Sequence, residues 1–203
     1  MSALLIVDVQ NDFITGSLAV ENGESVVPGI NKLLSSSLWG LRVATQDWHP
    51  AGHISFASRH DRKPLDTVVA QGVEVTLWPD HCLQNSWGSA LHSDLNTLKI
   101  DKIVQKGEDI DIECLSGFKT VFGGTSTNLT QLLKALAIKQ VYVAGLAMDF
   151  CVYWTALDAV KNGFQVSVIR DATLPVSQEG GERALKGFAE HGVKTVSIAD
   201  ILE

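Results

Sequence analysis

The chain has 203 residues, of which 45% are hydrophobic and 19% are charged, and its formal net charge is −7 at pH 7. This composition is typical of a folded globular protein with a substantial core, and an acidic chain without a basic patch argues against nucleic acid or an anionic membrane as a partner. The three cysteines are too few for a disulfide framework, and their odd number favours reduced thiols in the cytoplasm.

The N-terminal segment "MSALLIVDVQNDF" has no basic region and only a short apolar run, so it predicts a first β-strand instead of a secretory signal or a membrane span. Further runs rich in Val and Ile follow it. The six predicted strands cover residues 3–9, 41–46, 102–105, 140–144, 164–169 and 194–198. Several of them are continuously apolar, which is typical of strands covered on both faces.

Helical periodicity separates several of these strands. Apolar residues recur at intervals of three and four in segments 128–138 and 151–161, and a third helical segment covers 178–191. Strand–helix–strand repetition with connections of this length predicts parallel pairing and right-handed crossovers. We therefore expect one α/β domain over residues 1–203, a three-layer α/β/α sandwich with a central, mostly parallel, six-stranded sheet of Rossmann-like type.

Segment 48–86 interrupts this pattern. It shows little regular periodicity and contains four of the six histidines. Long irregular segments in compact domains are often functional, so we expect this one to contribute residues to a site.

Chemically reactive side chains follow four of the predicted strands. Asp8, Asp47 and Lys106 end the first three runs, and Cys151 follows the fourth. Ligands of doubly wound folds bind beyond the carboxyl ends of the strands, so these residues are candidates for one site. Each taken alone has an ordinary explanation, because an Asp after a strand is often a turn residue and a lone Lys is usually a solvated charge.

Cys151 opens a predicted helix, where backbone N–H groups and the helix dipole favour a thiolate. We therefore expect a lowered thiol pKa, with Asp8 accepting the thiol proton and Lys106 stabilising negative charge in an acyl-transfer triad. The alternative is that Cys151 is a small core residue, as free cysteines often are. Cys82 and Cys114 are interpreted as structural or incidental.

A second group comes from "QDWHPAGHISF" and "LWPDHC". Asp47 and His49 are two residues apart at a strand end, so an extended backbone turns both side chains the same way. With His81 they form a carboxylate and two imidazoles, which suit zinc, iron or manganese. The alternative is a loop whose histidines bind no metal. His53 is a further ligand or a supporting residue.

The remaining histidines, His60, His92 and His191, are interpreted as surface residues.

Five stretches resemble the nicotinamidase (pyrazinamidase) branch of the isochorismatase-like cysteine hydrolase superfamily. They are "ALLIVDVQNDFITGSLAV", "VATQDWHPAGHISFAS", "LWPDHCLQNSWGSALH", "IVQKGED" and "VAGLAMDFCVYWTALDA", in the order of that family and spanning residues 3–159. The resemblance implies the isochorismatase-like fold and a metal-assisted amidase that converts nicotinamide to nicotinate and ammonia through a thioester. It also implies a role in NAD salvage and activity on pyrazinamide.

By motif match, Cys151 is the nucleophile, Asp8 its base and Lys106 the third triad member. The resemblance also implies one divalent metal ion, with zinc expected before iron or manganese, that meets the pyridine nitrogen of the substrate. Its ligands by the same match are Asp47, His49 and His81.

The match also implies that Phe13, Trp78 and Phe150 wall the pocket around the ring. It implies a cis peptide between Leu146 and Ala147, and an oxyanion hole formed by the N–H groups of Ala147 and Cys151.

Two stretches depart from the family pattern. Residues 115–118 read "LSGF", where relatives carry a Tyr-Ser-Ala-Phe-like sequence, and this loss of an aromatic is expected to widen the pocket. Met148 stands where relatives often carry Thr or Leu, and Phe150 stands where they often carry Tyr. Both departures bear on substrate preference and not on the reaction class.

Three other functions stay open from the sequence. Isochorismatases share the scaffold but lack the thiol and the metal residues, and carbamoyl-amide hydrolases share the triad but usually not "DWH" with "WPxHC". A non-catalytic binding protein with this fold would have lost a chemical residue. For the partner we expect a small-molecule substrate, neither nucleic acid nor membrane, and the sequence allows a homo-oligomer.

Overall fold

The computed structural model describes residues 1–70, 72–118 and 127–203. Its strands are β1 (Ser2–Val7), β2 (Trp39–Asp47), β3 (Thr67–Ala70), β4 (Val73–Thr76), β5 (Lys102–Lys106), β6 (Gln140–Leu146), β7 (Gln165–Leu174) and β8 (Lys194–Val196). Its helices are α1 (Asn11–Ile14), α2 (Val26–Ser35), α3 (Leu129–Ala135), α4 (Cys151–Lys161), α5 (Gln178–Glu190) and α6 (Ala199–Leu202). Short 3-10 turns cover Gly23–Ser25, Ala57–His60 and Thr97–Lys99.

Six strands form one sheet in the order β5-β2-β1-β6-β7-β8, and every pairing in it is parallel. The predicted three-layer α/β/α fold is confirmed. Each strand of the sheet overlaps one of the six predicted from apolar runs.

The central strand β1 explains why those runs are continuously apolar. Ala3, Leu5 and Val7 face a core shared with α3, α4 and α5, while Leu4 and Ile6 face a second core shared with α1 and α2. Both faces of the strand are therefore buried, and each such Leu or Ile side chain stabilises the fold by about 1.5–3 kcal/mol.

Helices α1, α2 and α6 and strands β3 and β4 were not predicted, and β7 is longer than predicted. Strand β7 continues past residue 169 through the polar residues Arg170 and Asp171, where a register shift restores pairing with β6. Helix α2 contains Pro28, which the first turn of a helix tolerates. Within the long segment 48–86, β3 and β4 form an antiparallel hairpin, and Gly72 in its turn has a φ of +81°.

The parallel sheet gathers four strand ends at one edge. Asp8 follows β1, Asp47 and Lys106 end β2 and β5, and Cys151 begins α4 after β6. Asp47 and Lys106 are register partners on adjacent strands, so the sheet itself sets them side by side. In the described part of the chain, no helix has both the length and the apolar character needed to cross a membrane.

Candidate active site

Asp8 is held by its own backbone and by Thr45. It adopts a φ of 48° directly after β1, an uncommon conformation for a residue with a side chain. The Thr45 hydroxyl donates to Asp8 Oδ1 at 2.6 Å and accepts from the Asp8 N–H at 3.2 Å. The second carboxylate oxygen, Oδ2, lies 3.0 Å from Lys106 Nζ but accepts no directed hydrogen bond among the described residues.

The Lys106 ammonium joins the whole group. Nζ lies 3.0 Å from Asp8 Oδ2 and 3.6 Å from Cys151 Sγ. It donates to Asp47 Oδ1 and, at 3.2 Å, to the Cys114 carbonyl. The residue is 2% exposed, so its charge is compensated by these groups and not by bulk water.

Cys151 is brought to the same place from α4. Its Sγ and carboxylate oxygens of Asp8 and Asp47 all lie within 4.8 Å of one another, and the residue is 5% exposed. The structure therefore brings together the three side chains expected to form the triad.

The expected lowering of the thiol pKa is wrong. Burial raises the pKa of Cys151 well above its ordinary value; Lys106 lowers it, but Asp8 and Asp47 raise it further. The physical reason is that transferring a thiolate out of water costs more free energy than the first turn of one helix contributes in stabilisation. The resting side chain is consequently a neutral thiol.

The two carboxylates beside Lys106 differ in their pKa shifts. Burial raises the pKa of Asp8, against the lowering effect of Lys106. Burial opposes ionisation of Asp47 as well, yet Lys106 and His49 outweigh it and hold the pKa of Asp47 well below its usual range. Neighbouring acids whose pKa values are pushed apart are typical of sites in which one acid exchanges a proton and the other stays charged.

Asp47, His49 and His81 form a second group, whose nearest ligand atoms lie within 4.8 Å of one another. Asp47 Oδ2 is 3.6 Å from His49 Nε2 and 4.0 Å from His81 Nε2. Burial would lower the pKa of His49 but Asp47 outweighs it and raises that pKa, whereas burial and His49 lower the pKa of His81 to about 4.

The other nitrogens of these imidazoles are tied to the backbone. His49 Nδ1 lies 2.9 Å from the Gly107 carbonyl, and His81 Nδ1 lies 2.8 Å from the Pro79 carbonyl. Hydrogen bonds of this kind fix the proton on Nδ1. The lone pair of Nε2 is then available to a metal ion on the side of the ring that faces the carboxylate. This donor set fits a divalent cation.

Two buried polar residues that sequence reasoning missed support this group. The Gln10 side chain accepts from the Asp47 N–H at 2.8 Å and donates to the Asp47 carbonyl at 2.9 Å. Asp12 Oδ2 accepts from the Cys82 N–H at 2.7 Å, next to His81. Their signal was the polar run "QND" directly after an apolar strand.

His53 packs against His49 and lies outside the group formed by Asp47, His49 and His81. Its ring lies against that of His49, with centroids 4.0 Å apart. Both of its nitrogens are already engaged, at 2.8 Å from Ser55 Oγ and 3.1 Å from the Ile112 carbonyl.

The other three histidines lie outside the group. His191 is exposed, while His60 and His92 are half-buried.

A pocket opens at Cys151, and eight of the ten predicted site residues line it: Phe13, Asp47, His49, Trp78, His81, Ala147, Phe150 and Cys151. The other two, Asp8 and Lys106, are buried close to the Cys151 sulfur. The rings of Trp78 and Phe150 meet edge to face with centroids 4.8 Å apart.

The expected cis peptide between Leu146 and Ala147 is confirmed. No backbone acceptor among the described residues takes the N–H of Ala147 or of Cys151, as an oxyanion hole would require.

Glu113 is a further pocket residue that sequence reasoning missed. It is buried and lines the pocket, and its Oε1 accepts from the Cys114 N–H at 2.7 Å. Burial raises the pKa of its carboxyl, against the opposing effect of His49. The residue lies in an irregular segment after β5, where no periodicity predicts which side chains turn inward.

Comparison with known proteins agrees with this geometry. Residues 2–200 match the isochorismatase domain family. The nicotinamidase of Acinetobacter baylyi is 40% identical, with 98% of this chain and 94% of that protein covered.

Two solved structures are also similar over almost the whole chain. One is a protein of L. infantum in complex with nicotinate, at 36% identity, a TM-score of 0.88 and coverage of 98% of this chain and 93% of that one. The other is the pyrazinamidase of Pyrococcus horikoshii in complex with zinc, at 36% identity, a TM-score of 0.80 and coverage of 97% and 98%.

Replacing Lys106 tests the buried charge group. Lys106→Met leaves two buried carboxylates without their cation, so we expect the free energy of unfolding to fall by about 3–5 kcal/mol. Lys186→Met, which removes an exposed i,i+4 pair with Glu190, is the matched control and should cost less than about 0.5 kcal/mol. Urea denaturation followed by circular dichroism measures both, and similar losses would contradict the assignment.

Gly107→Ala tests the group formed by Asp47, His49 and His81 without substituting any of these three residues. A Cβ at residue 107 would lie 2.4 Å from His49 Cε1, so the ring must move. We expect zinc affinity, measured by competition with a chromophoric chelator, to fall about tenfold or more. Gly163→Ala is the control, because Gly163 also has a positive φ but its Cβ would meet nothing within 4 Å. Equal zinc affinity in the two variants would refute the site.

Alkylation of the native protein tests the accessibility of the three thiols. Cys151 lines the pocket, whereas Cys82 and Cys114 are interior and burial raises the pKa of Cys114 to about 12. We expect iodoacetamide to modify Cys151 at least about tenfold faster than the other two, because the pocket gives the reagent access to its sulfur and Asp8 lies close enough to accept the thiol proton. Peptide mass spectrometry gives the rates, with denatured protein as the reference in which the three should converge. Equal rates in the native protein would mean that Cys151 has no reactive environment.

Proposed function

The chain belongs to the isochorismatase family, and from this membership we propose that it is a nicotinamidase that hydrolyses nicotinamide to nicotinate and ammonia and also acts on pyrazinamide. The observation that carries the proposal is the convergence of thiol, carboxylate and ammonium from separate strand ends, with Lys106 Nζ 3.0 Å from Asp8 and 3.6 Å from Cys151. This set lies at a pocket walled by aromatic rings.

Asp47, His49 and His81 would hold one divalent cation. Zinc is the first candidate because a similar pyrazinamidase was crystallised with it, and iron and manganese suit the same donors. When bound, such an ion supplies a Lewis-acidic position that a ring nitrogen of the substrate can occupy.

The protein's own residues then orient the substrate. Phe13, Trp78 and Phe150 form a slot for a flat aromatic ring, and this slot presents the carboxamide carbon to Cys151 Sγ. Stacking of the ring restricts it to one plane, which converts attack into a near-unimolecular step.

Acylation couples attack to proton transfer. As the C–S bond forms, the thiol proton passes to Asp8, whose raised pKa makes it a competent base. The carbonyl oxygen becomes an oxyanion that accepts hydrogen bonds from the N–H groups of Ala147 and Cys151, and loss of one such donor costs about 3 kcal/mol. The C–N bond then breaks, Asp8 returns the proton to nitrogen, and ammonia leaves.

Deacylation repeats the sequence with water. Asp8 takes a proton from a water molecule as its oxygen adds to the thioester carbon. Collapse of the second oxyanion breaks the C–S bond, and the proton held by Asp8 returns to the sulfur. The products are the starting thiol and nicotinic acid, which releases its carboxyl proton to solvent as nicotinate, and the activity would place the protein in cytoplasmic NAD salvage.

Ammonia release from nicotinamide tests the proposal. We expect turnover by the wild-type protein, a loss of about 10³-fold or more in kcat for Cys151→Ala, and a loss of about 10²-fold for Asp8→Asn. Cys82→Ala makes the same change at a thiol outside the pocket and should retain activity. Turnover that survives Cys151→Ala would overturn the mechanism, and turnover of an N-carbamoyl amine in place of nicotinamide would move the substrate assignment.

A further inference from the structure

A second, larger cavity adjoins the pocket at Cys151. This outer cavity has a volume of about 470 Å³. Four residues line both spaces and so form the wall between them: Trp78, Glu113, Leu115 and Phe150. Strand β4 and the exposed side of α4 complete the outer cavity.

Leu115 is the aliphatic member of this shared wall. Trp78 and Phe150 hold each other edge to face, and Glu113 is buried with a hydrogen bond from the Cys114 N–H. Leu115 is half-buried and packs against the hydrophobic core. A leucine at this position fills less of the wall than a planar ring would.

We propose that Leu115 is a specificity-determining residue, and that the outer cavity receives a substituent on the ring of a pyridine-3-carboxamide whose carboxamide lies at Cys151. The inference rests on the proposed amidase function and extends its substrate class. Because Leu115 lines both spaces, a substituent on a ring bound at Cys151 can reach the outer cavity past this residue.

The charge of the outer cavity selects the substituent. Its lining carries four carboxylates and one ammonium: Glu74, Glu113, Asp149, Asp158 and Lys161. Lys161 Nζ lies 3.3 Å from Asp158 Oδ1, so the one cation is already paired. An acidic lining of this kind favours neutral or cationic substituents over anionic ones.

The inference is tested by measuring the turnover of a series of substrates by the purified wild-type protein and its variants. The series is nicotinamide itself and nicotinamide with a propyl, aminopropyl or carboxyethyl group on ring carbon 5 or 6. The measured quantity is the kcat/KM of each derivative divided by that of nicotinamide in the same variant. This ratio cancels any general loss of activity.

We expect wild-type protein to accept a propyl or aminopropyl derivative at one of the two positions, and to turn over the carboxyethyl derivative more slowly. Leu115→Trp should lower the ratio about tenfold or more, because a filled wall excludes the substituent, and Leu115→Ala should raise it. Leu185→Trp places the same ring at an exposed leucine on α5, outside both cavities, and should leave the ratio unchanged.

The outcomes separate this inference from the proposed function. Failure to turn over nicotinamide contradicts the proposed function. Turnover of nicotinamide with no activity on any derivative overturns the inference alone, as does a ratio that is the same in Leu115→Trp and Leu185→Trp. If Leu115→Trp does not fold, Leu115→Ala decides in its place, and an unchanged ratio in that variant overturns the inference. A preference for the carboxyethyl derivative would refute the charge argument.

Discussion

The site depends on one buried ammonium placed between two carboxylates. Lys106 Nζ contacts both Asp8 and Asp47 away from solvent, and such a group is stable only when every charge has a close partner. One positive and two negative charges leave a net negative charge in the interior. Burial, with a smaller effect of Asp47, raises the pKa of Asp8, and Asp47 raises the pKa of His49 against the effect of burial. A divalent cation at the Asp47 group would compensate the same excess charge.

This arrangement is a product of strand register. Asp47 and Lys106 are direct partners on β2 and β5, and Asp8 leaves the neighbouring strand β1 with a left-handed turn. Because side chains alternate along a strand, a slip of one residue would turn Lys106 away from both acids. Strand β5 opposes such a slip, because Lys106 is buried while its neighbour Gln105 is exposed. The chemistry at the sheet edge therefore depends on the alternating burial of the strand that carries the ammonium.

This dependence on the strands also explains which parts of the fold and of the site could be predicted from the sequence. Continuous apolar runs identify the buried strands, and since parallel strands end at one edge, the positions of Asp8, Asp47, Lys106 and Cys151 predict their meeting. Hairpin β3–β4 and helix α2 escaped prediction because their patterns are short or interrupted by Pro28. Glu113 escaped because an irregular segment has no period. The sign of the Cys151 pKa shift escaped because desolvation depends on burial by residues distant in sequence.

A neutral resting thiol is compatible with nucleophilic chemistry because burial raises the pKa of Asp8 and of Cys151 together. Proton transfer between two groups depends on the difference between their pKa values, and a shared apolar environment changes that difference less than it changes either value. Attack is then linked to arrival of a carboxamide, and a protonated sulfur resists oxidation between turnovers. The wall that includes Leu115 separates the pocket at Cys151 from the outer cavity, so the residue proposed to set substrate size also lies between the reacting sulfur and this larger space.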